Sequence, residues 1–518
     1  MGVAQVGVAL HATRPDSWCS VRVTAPRTSD PTGSVDADPH RWWGLVVIAL
    51  AQLMVVLDAT IVNIALPSAQ DELGMSDGDR QWMITAYTVA FGGLLLLGGR
   101  IADLIGRRRT FVIGLVGFAT ASALGGAAVS PGMLFGARAL QGAFAAVLAP
   151  SALSLLATAF TDPRERGKAF GIFGALAGSG SAMGFIVGGL LTEYLNWRWC
   201  LYVNTPIAIL ALLGAFAVLR DRPGRAGARL DVPGVLLGCG GLVAMVYGFS
   251  EAESRGWADV SVLGLLAAGV ALLAGFVWWQ ARAPLPLLPL HIVRDGDRAG
   301  CFLTMMLAIM AMFGLFLFMT YYFQVVLGYS PAWTGLAFVP LTAATVTGST
   351  QIAARLLQHV PPRAMMAPGM VLAATGMVML TRLTTDSSYA TDILPGLLLV
   401  GLGMGLTYMP VFATVTSGVA PQDSGVTSAT LNTSQQVGGS IGTALLNTVA
   451  TSSTAGYLAD PARRAEVTRE AVVHGYTVAL WCAAGLMLLA ALAAALLVTR
   501  RAPKHGAPAK APVVESVG

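Results

Sequence analysis

Residues 55–67, VVLDATIVNIALP, place a single carboxylate, Asp58, in the middle of a segment that otherwise reads as membrane. Residues 43–65 number 23, and Asp58 is the only charge among them. At about 1.5 Å of rise per residue, a helix of that length spans roughly 35 Å, enough to cross a bilayer. A charge at that depth costs about 2.5–3.5 kcal/mol on insertion scales, so it needs a partner or a polar pathway.

The rest of the chain has the same character. Its 518 residues are 55% apolar and only 11% charged, with a mean hydropathy of +0.68. Soluble domains carry about 25% charged residues, so the composition alone assigns an integral membrane protein. Apolar runs of membrane length lie at 43–65, 82–104, 110–129, 133–159, 169–191, 200–219, 232–250, 260–280, 299–322, 333–357, 364–382, 392–415, 426–450 and 475–499. The expected fold is therefore all-α, with fourteen transmembrane helices.

Residues 1–41 are polar and rich in Pro, Ser and Asp, which predicts a disordered tail without the apolar core of a signal peptide. The basic residues orient the spans. With the N-terminus inside, 23 Lys and Arg fall on inner segments and seven on outer loops, so both termini are expected in the cytoplasm and the protein in the cell membrane.

A weak internal repeat divides the chain further. GRIADLIGRRR (99–109) closes span 2 and TQIAARLLQHVPPR (350–363) closes span 10, each a small-residue helix end before a basic turn. The expected organisation is an N-tail (1–41), a six-helix bundle (42–220), an inserted helix pair (221–282), a second six-helix bundle (283–500) and a C-tail (501–518). Two such repeats around a midplane site form a transporter pattern.

Several function classes are disfavoured. No G-x-x-x-x-G-K-[ST] run exists, so ATP is not expected as a partner; the net charge of +5, spread in short clusters between apolar runs, is no nucleic-acid signature. The five cysteines stand singly, the six histidines lie in tails, loops or near helix ends, and no nucleophile–base or metal constellation falls within the spans. Neither an enzyme nor a metal site is expected.

The polar residues inside the spans carry the chemistry. In RALQGAFAAVLAP (138–150), Arg138, Gln141, Gly142 and Ala145 share one helix face. Arg138 either snorkels to an interface or faces a wet cavity with its charge balanced by Asp58. In GIFGALAGSGSAMGFIVGGLL (171–191), Gly180, Gly184 and Gly188 recur every four residues, a close-packing face between membrane helices, and Gly189 follows. At the end of span 2, Asp103 and Arg107, with Gly99 and Gly106, suggest a conformational latch. The C-terminal half offers Tyr322, Tyr408 and the run NTSQQVGGSIGTALLN (432–447), in which Asn432, Gln435, Gln436 and Gly439 share a face. Such amides either bond between helices or line a substrate cavity, for which Asn63, Tyr87 and Gln141 are the candidates in the N-terminal half.

Taken with QWMITAYTVAF (81–91), NWRWCLYVNTPI (196–207) and LGYSPAWTGLAFVP (327–340), these motifs are similar to those of one family. Over residues 42–500 the chain resembles the fourteen-helix drug:proton antiporter branch of the major facilitator superfamily. The resemblance implies that Asp58 is a protonation site facing a central cavity beside Arg138. It also implies that the two bundles rock to export amphipathic drugs or antibiotics, driven by the proton gradient, without a cofactor and as a monomer in lipid. A dedicated exporter of one metabolite or self-made antibiotic, or a non-transporting sensor, are the alternatives. One departure stands out: the branch's helix 5 motif reads Gly-Pro-x-x-Gly-Gly, whereas here it is GFIVGG (184–189), with Phe185 in the Pro place.

Overall fold

The computed structural model describes residues 41–77, 79–160, 163–219, 231–284, 286–288, 290–357, 359–417, 424–459 and 468–499. All elements among them are helical. In chain order they are α1 (Arg41–Leu73), α2 (Trp82–Ile105), α3 (Arg107–Gly126), α4 (Pro131–Ala159), α5 (Pro163–Tyr194) and α6, a short turn Trp199–Tyr202 continued as Asn204–Val218. Next come α7 (Val232–Arg255) and α8 (Val260–Gln280), then a short helix, Leu290–Arg294. After it α9 (Gly296–Tyr321) ends in a π-helical turn, Tyr322–Val326. Helix α10 is broken into Pro331–Ala337, Val339–Thr347, a π-helical stretch Gly348–Ala353, and Ala354–Leu356. The series closes with α11 (Arg363–Leu380), α12 (a π-helical Tyr389–Ile393 running into Leu394–Thr416), α13 (Ser424–Ala459) and α14 (Thr468–Leu497).

Among the described residues, ten of these fourteen rods are long and apolar enough to cross a membrane; the others are α2, α5, α10 and α13. The sequence explains where the rods begin and end. Ser130 and Ser330 each accept a bond from a first-turn N–H, with Pro131 and Pro331 in the first helical position, where the missing proline N–H costs nothing. Asp231, Asp259 and Asp295 cap α7, α8 and α9 in the same way. Gly74, with φ at 64°, stops α1 in the left-handed region that glycine enters freely. The first helix thus runs eight residues past the apolar stretch, carrying Pro67 buried within it.

In the first six helices, α4 packs on α2 and α3, α1 lies along α5, and α6 bridges α1 and α3. In the last six, α9 packs on α13 and α14, α11 on α12 and α14, and α10 on α12. Helix α8 packs on α7, and α7 lies against both α2 and α13. The two sets of six meet along two seams. At one, Gly92 of α2 leaves room for Gln436 of α13, where an added Cβ would stand 2.8 Å from the Gln436 Cβ. At the other, the Phe185 carbonyl of α5 sits 2.2 Å from where a Cβ on Gly335 of α10 would be. Contact between α5 and α10 is carried by residues 331–347, the half of α10 nearest the α9–α10 turn.

Candidate functional site

Asp58 sits at the middle of α1, and no part of it reaches solvent. One carboxylate oxygen, Oδ2, accepts from Nη1 of Arg138 at 2.8 Å. The other, Oδ1, accepts from Gln141 Nε2 at 2.7 Å and Asn204 Nδ2 at 2.8 Å. The same two amide nitrogens also donate to the Ser122 hydroxyl, at 2.8 and 2.9 Å. The carboxylate therefore ties α1 to α4 and α6, and the two amides it holds reach α3 through Ser122.

Arg138 is as deeply buried, with 2% of its surface exposed. Its Nε donates to the Met83 carbonyl at 2.9 Å and its Nη1 also to Gln141 Oε1 at 2.6 Å. The guanidinium lies 4.4 Å from the centre of the Tyr87 ring, adding α2 to the cluster through a cation–π contact. Between the two readings of Arg138 the geometry is clear: it does not snorkel, and pairs with Asp58. A buried ion pair is tolerated when its remaining donors and acceptors are met, and removing one partner strands the other charge.

The sequence-predicted residues divide into those drawn into this cluster and those placed elsewhere. Asp58, Arg138, Gln141 and Tyr87 come together; the network is completed by Ser122, which carries no warning in the sequence, and by Asn204, which lies within the NWRWCLYVNTPI motif (196–207). The Tyr87 hydroxyl and Asn204 Oδ1 are buried without a hydrogen-bond partner. Asn63, one and a half turns beyond Asp58, is buried with Nδ2 on the Ala59 carbonyl and Oδ1 unpartnered. Gln435 likewise has a buried, unpartnered Nε2, on the α13 face whose neighbour Gln436 packs on Gly92; Asn432 and Tyr408 are half-buried. Tyr322 is buried, its hydroxyl donating to the Thr384 carbonyl.

The glycine stripe of α5 faces α1. Added Cβ atoms at Gly180, Gly184 and Gly188 would meet Val56, Thr60 and Ile61, the closest being Thr60 Oγ1 at 1.8 Å from Gly184. Gly189 turns instead to α10, against the Pro331 carbonyl. Phe185 leaves α5 unbroken, since no proline removes its N–H. Its ring is fully buried against Phe338 and Phe316, with centroids 4.7 and 5.0 Å away, so the residue in the Pro place is an aromatic plug between α5, α9 and α10. At the end of α2, Gly106 has φ at 97° and separates α2 from α3, which Arg107 opens half-buried. The Asp103 side chain lies outside the described residues. Gly99 is loosely packed; the tight approach is at its neighbour Gly98, where an added Cβ would stand 1.9 Å from the Ala146 carbonyl.

The helices form a polytopic fold with a buried ion pair inside one bundle and two seams between bundles. The chain belongs to the Major Facilitator Superfamily, whose model matches residues 48–443, and it is a transporter of small molecules rather than an enzyme. It is 57% identical over 466 residues to the puromycin resistance protein of Streptomyces alboniger, covering 90% of this chain and 92% of that one. It is 40% identical to the cephamycin export protein of Amycolatopsis lactamdurans, covering 84% and 90%. These relatives place it in the drug-efflux branch of the superfamily. The fold is similar to that of a bacterial homologue of the lysosomal transporter Spinster, solved in an inward-facing, unoccupied form, with a TM-score of 0.64 at 16% identity over 89% of this chain and 97% of that one.

Proposed function

We propose that this protein is a proton-coupled antiporter that exports an amphipathic antibiotic across the cytoplasmic membrane by alternating access. The observation that carries this reading is the Asp58–Arg138 pair, an ionisable couple at mid-membrane depth with every charge partnered by protein. A proton delivered to Asp58 cancels the charge that Arg138 faces. Arg138 then keeps the Gln141 and Met83 oxygens and the Tyr87 ring but faces no opposite charge, and the buried cation without a counter-ion drives the network to rearrange. Because Asp58 holds α1 to α4 and α6, a change in its protonation reaches the α1–α5 contact and, through α5, the seam with α10. Loss of the proton on the cytoplasmic side restores the pair. Export and proton entry then alternate, with the gradient as the energy source and no bound cofactor.

The excess of basic residues on one side supports an orientation with both termini in the cytoplasm and the α1–α2 turn outside. The names of the two relatives support an antibiotic as the substrate, and puromycin is the first compound to test. A protein dedicated to a single antibiotic is the second reading, favoured by those same names; competition between puromycin and unrelated dyes separates the two.

The deciding experiment is uptake of puromycin into inverted vesicles carrying wild-type protein or Asp58→Asn at matched abundance. Gradient-dependent accumulation that disappears both with an uncoupler and in Asp58→Asn is the expected result. Uphill accumulation by Asp58→Asn would place coupling elsewhere.

A further inference from the structure

The α1–α2 turn holds an arginine that belongs to no motif. Arg80 lies in the run SDGDRQ (76–81), a polar turn where charges are ordinarily solvated, yet only 3% of it is exposed. The turn itself is tight: the Arg80 N–H donates to the Ser76 carbonyl at 3.0 Å, and Ser76 and Asp79 bond to each other. The side chain leaves this turn and enters the other bundle. Nε and Nη2 both donate to Oδ1 of Asn447 on α13, at 3.3 and 3.2 Å, and the guanidinium lies 4.1 Å from the centre of the Tyr321 ring on α9. Tyr476 of α14 borders it as well.

The remaining groups close the ring. Nη1 of Arg80 donates to Asp77 Oδ1 at 3.0 Å, Asn447 Nδ2 donates to the Asp77 carbonyl at 3.1 Å, and Gln70 Nε2 donates to Asp77 Oδ1 at 2.8 Å. The Tyr321 hydroxyl donates to Gln70 Oε1 on α1. One cation from the first bundle is thus held by three helices of the second, and each neighbouring polar group is itself bonded.

We propose that Arg80 is the clasp that keeps the two bundles closed at the α1–α2 end, and that each transport cycle must withdraw it from the Asn447–Tyr321 pocket. Separating the bundles at that end cannot leave these contacts in place, because they join the α1–α2 turn to α9 and α13 directly. A second link at the same end, Glu193 of α5 bonded to the Ser330 hydroxyl and the Ala332 N–H at 2.6 and 2.9 Å, is exposed, so water competes for it. The buried Arg80 clasp is the stronger of the two. The assignment of this end to the outside rests on the transport reading above; the clasp itself does not.

The test is a distance measurement between spin labels at Val129→Cys, in the α3–α4 turn, and Asp386→Cys, in the α11–α12 turn, with the five native cysteines replaced by alanine. Both labelled turns lie at the α1–α2 end, one in each bundle. Wild type, Arg80→Ala, Arg80→Lys and Asn447→Ala are compared in lipid nanodiscs without substrate or gradient. Arg80→Ala and Asn447→Ala are expected to raise the ratio of long to short distances about tenfold, the worth of one charge-assisted hydrogen bond, with Arg80→Lys in between. The double variant Arg80→Ala/Asn447→Ala should shift by less than the sum of the two single ones, since both remove the Arg80–Asn447 bonds while each also removes a contact of its own. If Arg80→Ala does not fold, Asn447→Ala decides alone. Unchanged distances in folded Asn447→Ala overturn the proposal. Because no transport is measured, a failed puromycin assay leaves this result standing, and unmoved distances alongside normal transport remove only the clasp.

Discussion

The two six-helix sets are built from different materials. The first centres on an ion pair and three polar side chains, Asp58, Arg138, Gln141, Asn204 and Ser122, locked into one network. The second is filled with methionine and aromatic rings: Met305, Met366, Met370, Met377 and Met404 are buried beside Phe318, Phe323 and Phe338. Inside its spans between residues 299 and 450 it holds no acid beyond Asp392 at the start of α12. A polar network has few arrangements that satisfy every donor, so it switches between discrete states. Methionine has three rotatable bonds and a polarizable sulfur, and a core built from it adapts to shape. The contrast is one between a core with few satisfied arrangements and a core that tolerates many.

The largest expected effect is in the first bundle. Arg138→Ala leaves Asp58 buried and unpaired, and should cost about 3–5 kcal/mol of stability, read as a lowered unfolding midpoint in detergent. Adding Asp58→Asn to Arg138→Ala should recover part of that loss. If the double variant is as unstable as the sum of the single ones, the pair does not act as a unit and the contrast between the bundles fails.

Next in size is Gly184→Ala, which drives a methyl group into Thr60 and should cost about 1–3 kcal/mol, with slowed transport. Gly136→Ala is the control, since nothing lies within 4 Å of its added Cβ; it should match or exceed wild-type stability, as alanine is the better helix former. Equal losses at both positions would remove the close α1–α5 contact as a special feature.

The second bundle should forgive more. Met377→Leu keeps volume and apolarity and should cost less than about 1.5 kcal/mol, while leaving transport intact. A larger loss would show that the methionine core is as exacting as the ionic one. Smallest of all is Gln435→Ala, which removes an amide nitrogen that no group accepts; the unfolding midpoint should hold, and any change should appear in which compounds compete with puromycin.

Legibility followed the same physics. Asp58 and Arg138 stood out because a charge inside an apolar run has no local explanation, and Gln141 because it shares a helix face with Arg138. Ser122 left no trace, since a small polar residue on a separate helix has no periodic signature, and Asn204 lay within the motif NWRWCLYVNTPI (196–207), where nothing local marks it as a partner of Asp58. Arg80 was hidden for the opposite reason: in a turn rich in Asp, Ser and Gly a cation is the expected residue, and nothing local says that it is buried. Phe185 was visible as a departure from a motif, but not as the ring that fills the space among α5, α9 and α10.

By itself, then, the sequence determined the membrane setting, the positions of the helical rods and the two charges at depth. Each of these depends on hydropathy and spacing within some twenty residues, where chain neighbours are also neighbours in space. The tertiary structure alone decided what those charges touch. Asp58 and Asn204 are 146 residues apart, and Arg80 and Asn447 are 367 apart. Such contacts exist only once helices from distant parts of the chain pack side by side, because burial, which makes each of these bonds necessary, is a property of the assembled bundle.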